Sequence, residues 1–455
     1  MSEPPRDLDA LRSEGDLNIS PRRHAWDEAN IDEETAAMLE EDARLFLHQS
    51  LSTPCLNVLQ SCEGPYLEDS QGRRILDFHG NSVHQVGFAN PRVLQAVKDQ
   101  LDDLPFSTRR YTNQTAINLA RKLTDLAPGD LNRVLFAPGG AEAMGMALKL
   151  ARAATGRFKT ISMWDSFHGA SLDTISIGGE AIFRKGAGPL LPGTEHVPPP
   201  DNRHCPWECG DTCTLQCAKY IDYVLEKEGD VAAVIAETVR STPYIPAPDY
   251  WRIVREACDR HGALLILDEI PTCLGRTGKM FAVEHYGVVP DMLVIGKGLG
   301  GGVMPLAALI ACDDLNVMQD RALGHYTHEK SPVACAAGLA TIACIEDEGL
   351  LSRSVELGEY VIGKLRAMQQ RQPLIGDVRG IGLLIGVELI LDTGVRAINE
   401  AEQVMYAALE RGLNFKISMG NVLTLAPPLT IETDQLDAAL DILESCIADV
   451  SAGRI

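Results

Sequence analysis

Residues 263–302 read ALLILDEIPTCLGRTGKMFAVEHYGVVPDMLVIGKGLGGG. Two apolar runs, ALLIL and MLVI, each lead to a chemically loaded residue. Asp268 closes the first, and Lys297 follows the second inside a glycine run. Short apolar runs without polar alternation read as strands covered on both faces. Outward from this stretch the pattern repeats. RVLFA (133–137) precedes the helical pattern AEAMGMALKLARAA, and VAAVIAE (231–237) precedes a helix around 249–261. Buried strands alternating with amphipathic helices predict an α/β fold whose large sheet is mostly parallel, with helices on both faces. Ligands of such sheets bind beyond the carboxyl ends of the strands, where Glu237, Asp268 and Lys297 all fall.

The flanks read differently. Beyond Gly349 the pattern becomes a helix at 351–370, a strand pair at 376–390 and helices at 398–412 and 433–450, a smaller α+β unit. PYLEDSQGRRILDF (65–78) predicts a hairpin turning at Asp69-Ser70-Gln71-Gly72, and 31–50 predicts a helix. Residues 1–30, charged and without apolar periodicity, are expected to form an arm, mobile or draped on a partner. The expected division is 1–65 as arm and helix joining the small domain, 66–345 as the large domain and 346–455 as the small domain.

Composition narrows the function. With 41 basic and 63 acidic residues the formal net charge is -22. A field of that sign repels phosphate backbones and anionic lipid, so nucleic acid and membrane surfaces are not the expected partners. An anionic substrate would need a local basic cluster. The polar, acidic start lacks the features of a signal peptide, and no run of 18 apolar residues exists. The twelve cysteines then read as reduced thiols, and the cytoplasm is the expected compartment.

Four features bear on chemistry. Lys297 sits in VIGKGLGGG, where glycines let something large approach the backbone; a dry, neutral lysine can form an imine with an aldehyde cofactor. Asp268 ends a buried strand, where an ionised carboxylate needs a partner; beneath a pyridine ring it would keep the ring nitrogen protonated. Pro138-Gly139-Gly140-Ala141, between strand and helix, offers backbone N–H groups to a phosphate. Phe167-His168-Gly169 places an aromatic that could stack on a planar ring. Each alone is ordinary.

Taken in order, the chain resembles the class III (ω-amino acid) aminotransferase family of fold-type I pyridoxal-phosphate (PLP) enzymes. The residues carrying the resemblance are GGAEA at 139–143, FHG at 167–169, Glu237, LILDEIPTCLGRTG at 265–278, PDMLVIGKGLGGG at 290–302, Thr327 with Pro332, and LAPPLTI at 425–431. It spans roughly residues 45–450. It implies that Lys297 binds pyridoxal 5'-phosphate and shuttles the proton, that Asp268 pairs with the ring nitrogen, that Ile270 packs beneath the ring and that Phe167 stacks above it, beside His168. It also implies that Gly140 and Ala141 bind the phosphate, that Glu237 is the family's active-site glutamate, and that Thr327 reaches the phosphate of the neighbouring subunit in a homodimer with shared active sites.

Departures from the family pattern point to a reaction type. Gly139-Gly140-Ala141 lacks the usual hydroxyl donors of the phosphate loop, and Pro271 replaces a glutamine that contacts the cofactor's phenolic oxygen. Thr424 stands where transaminases of the family commonly carry an arginine that grips a keto acid, and a hydroxyl cannot replace that bidentate charge. His328-Glu329-Lys330 replaces a Phe-Gly-Gly-like stretch, and the polar Gly80-Asn81-Ser82-Val83-His84-Gln85 aligns with the pocket lining. Asn81, His84, Arg110 and Lys330 are the candidate substrate contacts, with Arg109 and Tyr111 as neighbours. These features resemble the lyase branch, which acts on phosphorylated or phosphonated amino alcohols. The expectation is a PLP-dependent ammonia-lyase acting on a small anionic amine, with an ω-aminotransferase as the alternative. Separately, His204, Cys205, Cys209, Cys213 and Cys217 suggest thiols along one helical face. Such a face could hold zinc or an iron–sulfur cluster, although free thiols are the plainer expectation and no metal site is assigned.

Overall fold

The computed structural model describes residues 20–210 and 212–455. Its elements run α1 (Pro21–Asn30), α2 (Glu33–Leu45), β1 (Leu59–Glu63), β2 (Tyr66–Asp69) and β3 (Arg74–Asp77). Next come α3 (Pro91–Asp103), α4 (Gln114–Leu126), β4 (Leu131–Ala137), α5 (Gly140–Thr155), β5 (Lys159–Met163), α6 (Leu172–Ile177), α7 (Ala181–Arg184) and β6 (Thr194–Val197). The chain continues through α8 (Gln216–Glu228), β7 (Val231–Glu237), α9 (Tyr250–His261), β8 (Leu264–Asp268), β9 (Met292–Ile295), β10 (Ala307–Cys312) and α10 (Pro332–Asp347). It closes with α11 (Leu350–Gln369), β11 (Ile375–Ile381), β12 (Leu384–Leu389), α12 (Ile398–Glu410), β13 (Leu413–Asn414), β14 (Lys416–Ser418), β15 (Val422–Leu425) and α13 (Thr433–Ser451). Contacts divide it into two units, Asn90–Ser352 and the pairing of the chain up to Ala89 with Arg353–Ile455.

In the unit Asn90–Ser352 one seven-stranded sheet runs β4-β10-β9-β8-β7-β5-β6. Strands β9, β8, β7, β5 and β6 are mutually parallel, and β10 lies antiparallel to β4 and β9. Every residue of β7 is buried, the expected state of a central parallel strand. Helix α5 covers one face with Met144, Met146, Ala147 and Leu150, against Ala233, Ile235, Ile266, Met292 and Leu309. Burying each such large side chain stabilises the fold by about 1.5–3 kcal/mol. The turns that deliver the helices are locally specified: Asn90 caps α3 through the N–H groups of Arg92 and Val93, and α9 ends on a left-handed Gly262.

The second unit holds two four-stranded sheets, β1-β2-β3-β13 and β11-β12-β15-β14. The predicted hairpin is present: Asp69 accepts from the N–H groups of Gln71 and Arg73 and forms a 2.6 Å ion pair with Arg73, closing the turn. The sequence reading began the large domain at residue 66. The hairpin instead groups with the C-terminal unit, because β3 pairs in parallel with β13. Within the expected N-terminal arm, residues 1–19 lie outside the described residues, and 21–30 form a helix. Its Trp26 is 6% exposed and packs on Tyr406, a contact that a single buried aromatic in a charged segment does not advertise. A further correction concerns the cysteines. Cys205, Cys209 and Cys213 lie outside any helix and only Cys217 lies on α8, so the four thiols do not share a helical face.

Candidate active site

Sheet register brings the three loaded strand ends side by side. Glu237 pairs with Asp268 across β7 and β8, and Asp268 pairs with Val294 across β8 and β9, three residues before Lys297. Asp268 is 2% exposed, so its carboxylate requires partners. Oδ1 accepts from the Ile270 N–H at 3.0 Å, and Oδ2 lies 2.8 Å from His168 Nδ1. His168 Nε2 is buried and, among the described residues, has no hydrogen-bond partner. The next carboxylate, Glu269, is tied down by Thr238 Oγ1 and the N–H groups of Ala282 and Val283, which fixes the end of β8.

Lys297 opens the glycine turn with φ at +47°, a left-handed conformation unusual for a side-chain-bearing residue. Strained backbone of this kind persists only where the surroundings over-determine it. Burial drives the Lys297 ammonium below its ordinary pKa, and the opposing pull of Asp268 and Glu237 does not restore it. The neutral amine is the nucleophilic form.

The turn between β4 and α5 is built as a cradle. Gly139 caps α5 without any side-chain hydrogen bond, which leaves backbone N–H groups at the positive end of a 16-residue helix. A Cβ on Gly140 would lie 2.6 Å from Ile270 Cδ1, and one on Gly296 would lie 3.5 Å from Ile270 Cγ2. Ile270 therefore joins the cradle to the turn that carries Lys297. Phe167 is held by its N–H, which donates to Glu237 Oε1 at 3.1 Å, and its half-exposed ring rests on Phe183 with centroids 4.4 Å apart. A dry lysine, a bonded carboxylate, an anion cradle and an apolar floor suit a phosphorylated pyridine aldehyde. The residues fit pyridoxal phosphate.

Comparison with known proteins gives the same assignment. The profile of aminotransferase class-III matches residues 48–447. A Vibrio splendidus protein, (R)-1-hydroxy-2-aminoethylphosphonate ammonia-lyase, is 49% identical over 458 residues, covering 97% of this chain and 96% of that protein. A leucine/methionine racemase of Thermococcus litoralis is 37% identical over 92% of this chain and 96% of its own length. Among solved structures, a transaminase from the marine bacterium Virgibacillus superposes with a TM-score of 0.85 at 29% identity, covering 92% of this chain and all of that one.

The chain belongs to the class-III aminotransferase family.

It thus has the fold-type I architecture of PLP enzymes, and pyridoxal 5'-phosphate is its cofactor. Beside the candidate cofactor residues of this class-III enzyme lies a charged network that the sequence reading missed. The Arg240 guanidinium pairs with Glu180 and sits 3.7 Å from Glu237. Burial raises the Glu180 carboxyl to about 7 and raises that of Glu237 too, despite the pull of Arg240. One guanidinium cannot neutralise two buried carboxylates, so a proton is drawn to the group. Burial works to lower the Arg240 pKa, but the two carboxylates outweigh it and hold the guanidinium charged. Glu237, Arg240 and Tyr244 line a cleft with Trp164, Ser166 and Pro199. The available signal was an arginine three residues beyond the glutamate that ends an otherwise apolar strand.

The substrate candidates fall on both units. In the C-terminal unit Asn81 is exposed, in a left-handed conformation, whereas His84 is buried, stacked on Phe88 and bonded through Nε2 to the Asp77 carbonyl. In the large unit Arg110 is exposed, as is Lys330, whose carbonyl accepts from Asn113 Nδ2. Thr327 is exposed in the same loop, Arg109 contacts His325 and His328 packs edge-on against Phe106.

Proposed function

We propose that this enzyme is an ammonia-lyase acting on a hydroxylated aminophosphonate, converting (R)-1-hydroxy-2-aminoethylphosphonate to phosphonoacetaldehyde and ammonia in phosphonate degradation. Near-full-length similarity to the Vibrio enzyme of that name supports the substrate. The observation that carries the reaction type is Thr424. It is 5% exposed, its hydroxyl bonds Ser418 Oγ at 3.2 Å, and no guanidinium occupies the position from which transaminases of the family grip a keto acid. A lyase needs no such acceptor.

In this reading Lys297, driven toward the neutral amine by burial, takes the proton from the amine-bearing carbon. Asp268, fixed by His168 and the Ile270 N–H, holds a proton on the ring nitrogen. Bound pyridoxal phosphate supplies the electron-accepting ring that makes the carbon acidic. Lys297 then delivers its proton to the neighbouring hydroxyl, which leaves as water. The enamine so formed is hydrolysed to the aldehyde and ammonia. Gly140 and Ala141 hold the cofactor phosphate through backbone N–H groups, and Thr327 acts on the phosphate of a second subunit. Asn81, Arg110 and Lys330 are exposed side chains that we assign to the substrate anion, and His84, which is buried, is the fourth candidate.

One observation favours the alternative, an ω-aminotransferase. Lys416 is the register partner of Thr424, and directly opposed residues of an antiparallel pair share a face, so a cation remains beside the lost arginine position. The decisive experiment supplies the aminophosphonate without any keto acid and measures aldehyde. Release far beyond one equivalent per site is the expected result. Arrest at one equivalent, with the spectrum of the aminated cofactor, would establish the transaminase instead.

A further inference from the structure

The cysteines at 205, 209, 213 and 217 are not absorbed by the reaction above. Cys205 to Cys209 form a turn, closed by the Glu208 N–H on the Cys205 carbonyl at 2.9 Å with Glu208 at φ +53°. The turn folds Cys205 Sγ to within 3.4 Å of Cys209 Sγ. Cys209 Sγ also meets Thr214 Oγ1 at 3.1 Å and receives the Thr214 N–H at 3.5 Å. The Cys205 thiol and the Thr214 N–H donate to one sulfur, which the Thr214 hydroxyl also meets, surroundings that stabilise a thiolate. Among the described residues no three His, Cys, Asp or Glu side chains are grouped to hold a metal ion.

The other thiols differ. Cys217 is buried on α8, and burial raises its thiol to about 12. Cys209 is partly exposed, and hydrogen bonds from Thr214 and Cys205 lower its thiol below the ordinary value. The segment is anchored just upstream. Asp201 accepts from the N–H groups of Arg203 and His204 and pairs with His204 Nδ1 at 2.9 Å, so the turn is presented from a fixed base next to Pro199 and Pro200 of the cleft wall.

We propose that Cys209 is a peroxide-reactive thiolate and that Cys205 is the thiol that resolves its oxidation. The Cys209 thiolate attacks a peroxide oxygen, the O–O bond breaks and hydroxide leaves. The sulfur loses two electrons and becomes a sulfenic acid, while the peroxide is reduced. Cys205 then attacks that sulfur, the S–O bond breaks, water departs with the Cys205 proton and a Cys205–Cys209 disulfide forms. Overall, one hydrogen peroxide and two thiols give one disulfide and two waters.

The test treats reduced full-length holoenzyme with hydrogen peroxide and maps peptides by mass under non-reducing conditions. The expected product is a two-hydrogen loss confined to a Cys205–Cys209 bridge, reversed by dithiothreitol. It should form at least about tenfold faster than oxidation of exposed Cys62, since reactivity follows thiolate fraction. In Cys205→Ser a dimedone adduct should accumulate on Cys209, with the holoenzyme absorbance unchanged as a check of folding. A bridge to Cys213, faster oxidation at Cys62, absence of any adduct in Cys205→Ser, or stoichiometric zinc held by these thiols would each overturn the proposal.

Discussion

At the scale of single residues, the chemistry rests on what burial does to a few ionisable groups. Lys297 carries an ammonium whose pKa burial has lowered, so its reactive neutral form appears at lower pH than for a free lysine. The neutral fraction grows as pH rises through that lowered value. Imine formation between apoenzyme and added pyridoxal phosphate, followed by absorbance, should therefore rise with pH and level off below the ordinary lysine pKa of 10.5. A plateau only above that value would remove Lys297 from the role. Lys297→Ala should lose the imine band and at least roughly 10²–10⁴-fold in turnover, the usual weight of a positioned proton-transfer group. The sequence singled out Asp268 because it ends a buried strand and Lys297 because it follows one. It did not reveal Arg240 and Glu180, whose partners are 60 residues apart along the chain.

Elements are where local patterning and packing meet, and α11 offers a clean pair. A Cβ on Gly358 would lie 2.1 Å from the carbonyl oxygen of Gly382, in the turn between β11 and β12. Backbone there cannot step aside, so Gly358→Ala should cost about 1–3 kcal/mol. Gly363 on the same helix has nothing within 4 Å of such a Cβ, and Gly363→Ala should stabilise by up to about 1 kcal/mol through helix propensity. Denaturant midpoints of the two variants should move in opposite directions; a shift of the same sign would break the argument. Helices and strands of this kind were readable from period and caps. The turn at Cys205–Cys209 was not, since four-residue spacing fits a helix equally well until Pro206 and a left-handed Glu208 are placed.

For the whole molecule, the net charge of -22 means that the proposed anionic substrate would be gathered by a local basic cluster rather than by the global field. If Thr327 serves the neighbouring subunit, the defects of two variants must be separable by mixing. Lys297→Ala and Thr327→Ala chains, co-refolded into mixed dimers, create one site with both residues intact. Activity and cofactor affinity should return toward half of wild type per mixed dimer, once the mixed dimers are separated from the two parental ones. No recovery would mean that Thr327 acts within its own chain or not at all.

The alternation of buried strands with helices, the strand pair at 376–390 and the candidacy of Lys297 and Asp268 were legible in the sequence itself, because periodicity and strand-end position are local properties. Lys297 was the firmest of these, and its φ of +47° adds that the turn is held in place rather than merely permitted. Only the tertiary structure decided which carboxylates share Arg240, that the 66–77 hairpin groups with the C-terminal unit through β13, and that Cys205 meets Cys209. Those depend on contacts between residues distant in sequence or on a turn without periodicity, and neither leaves a trace in local pattern.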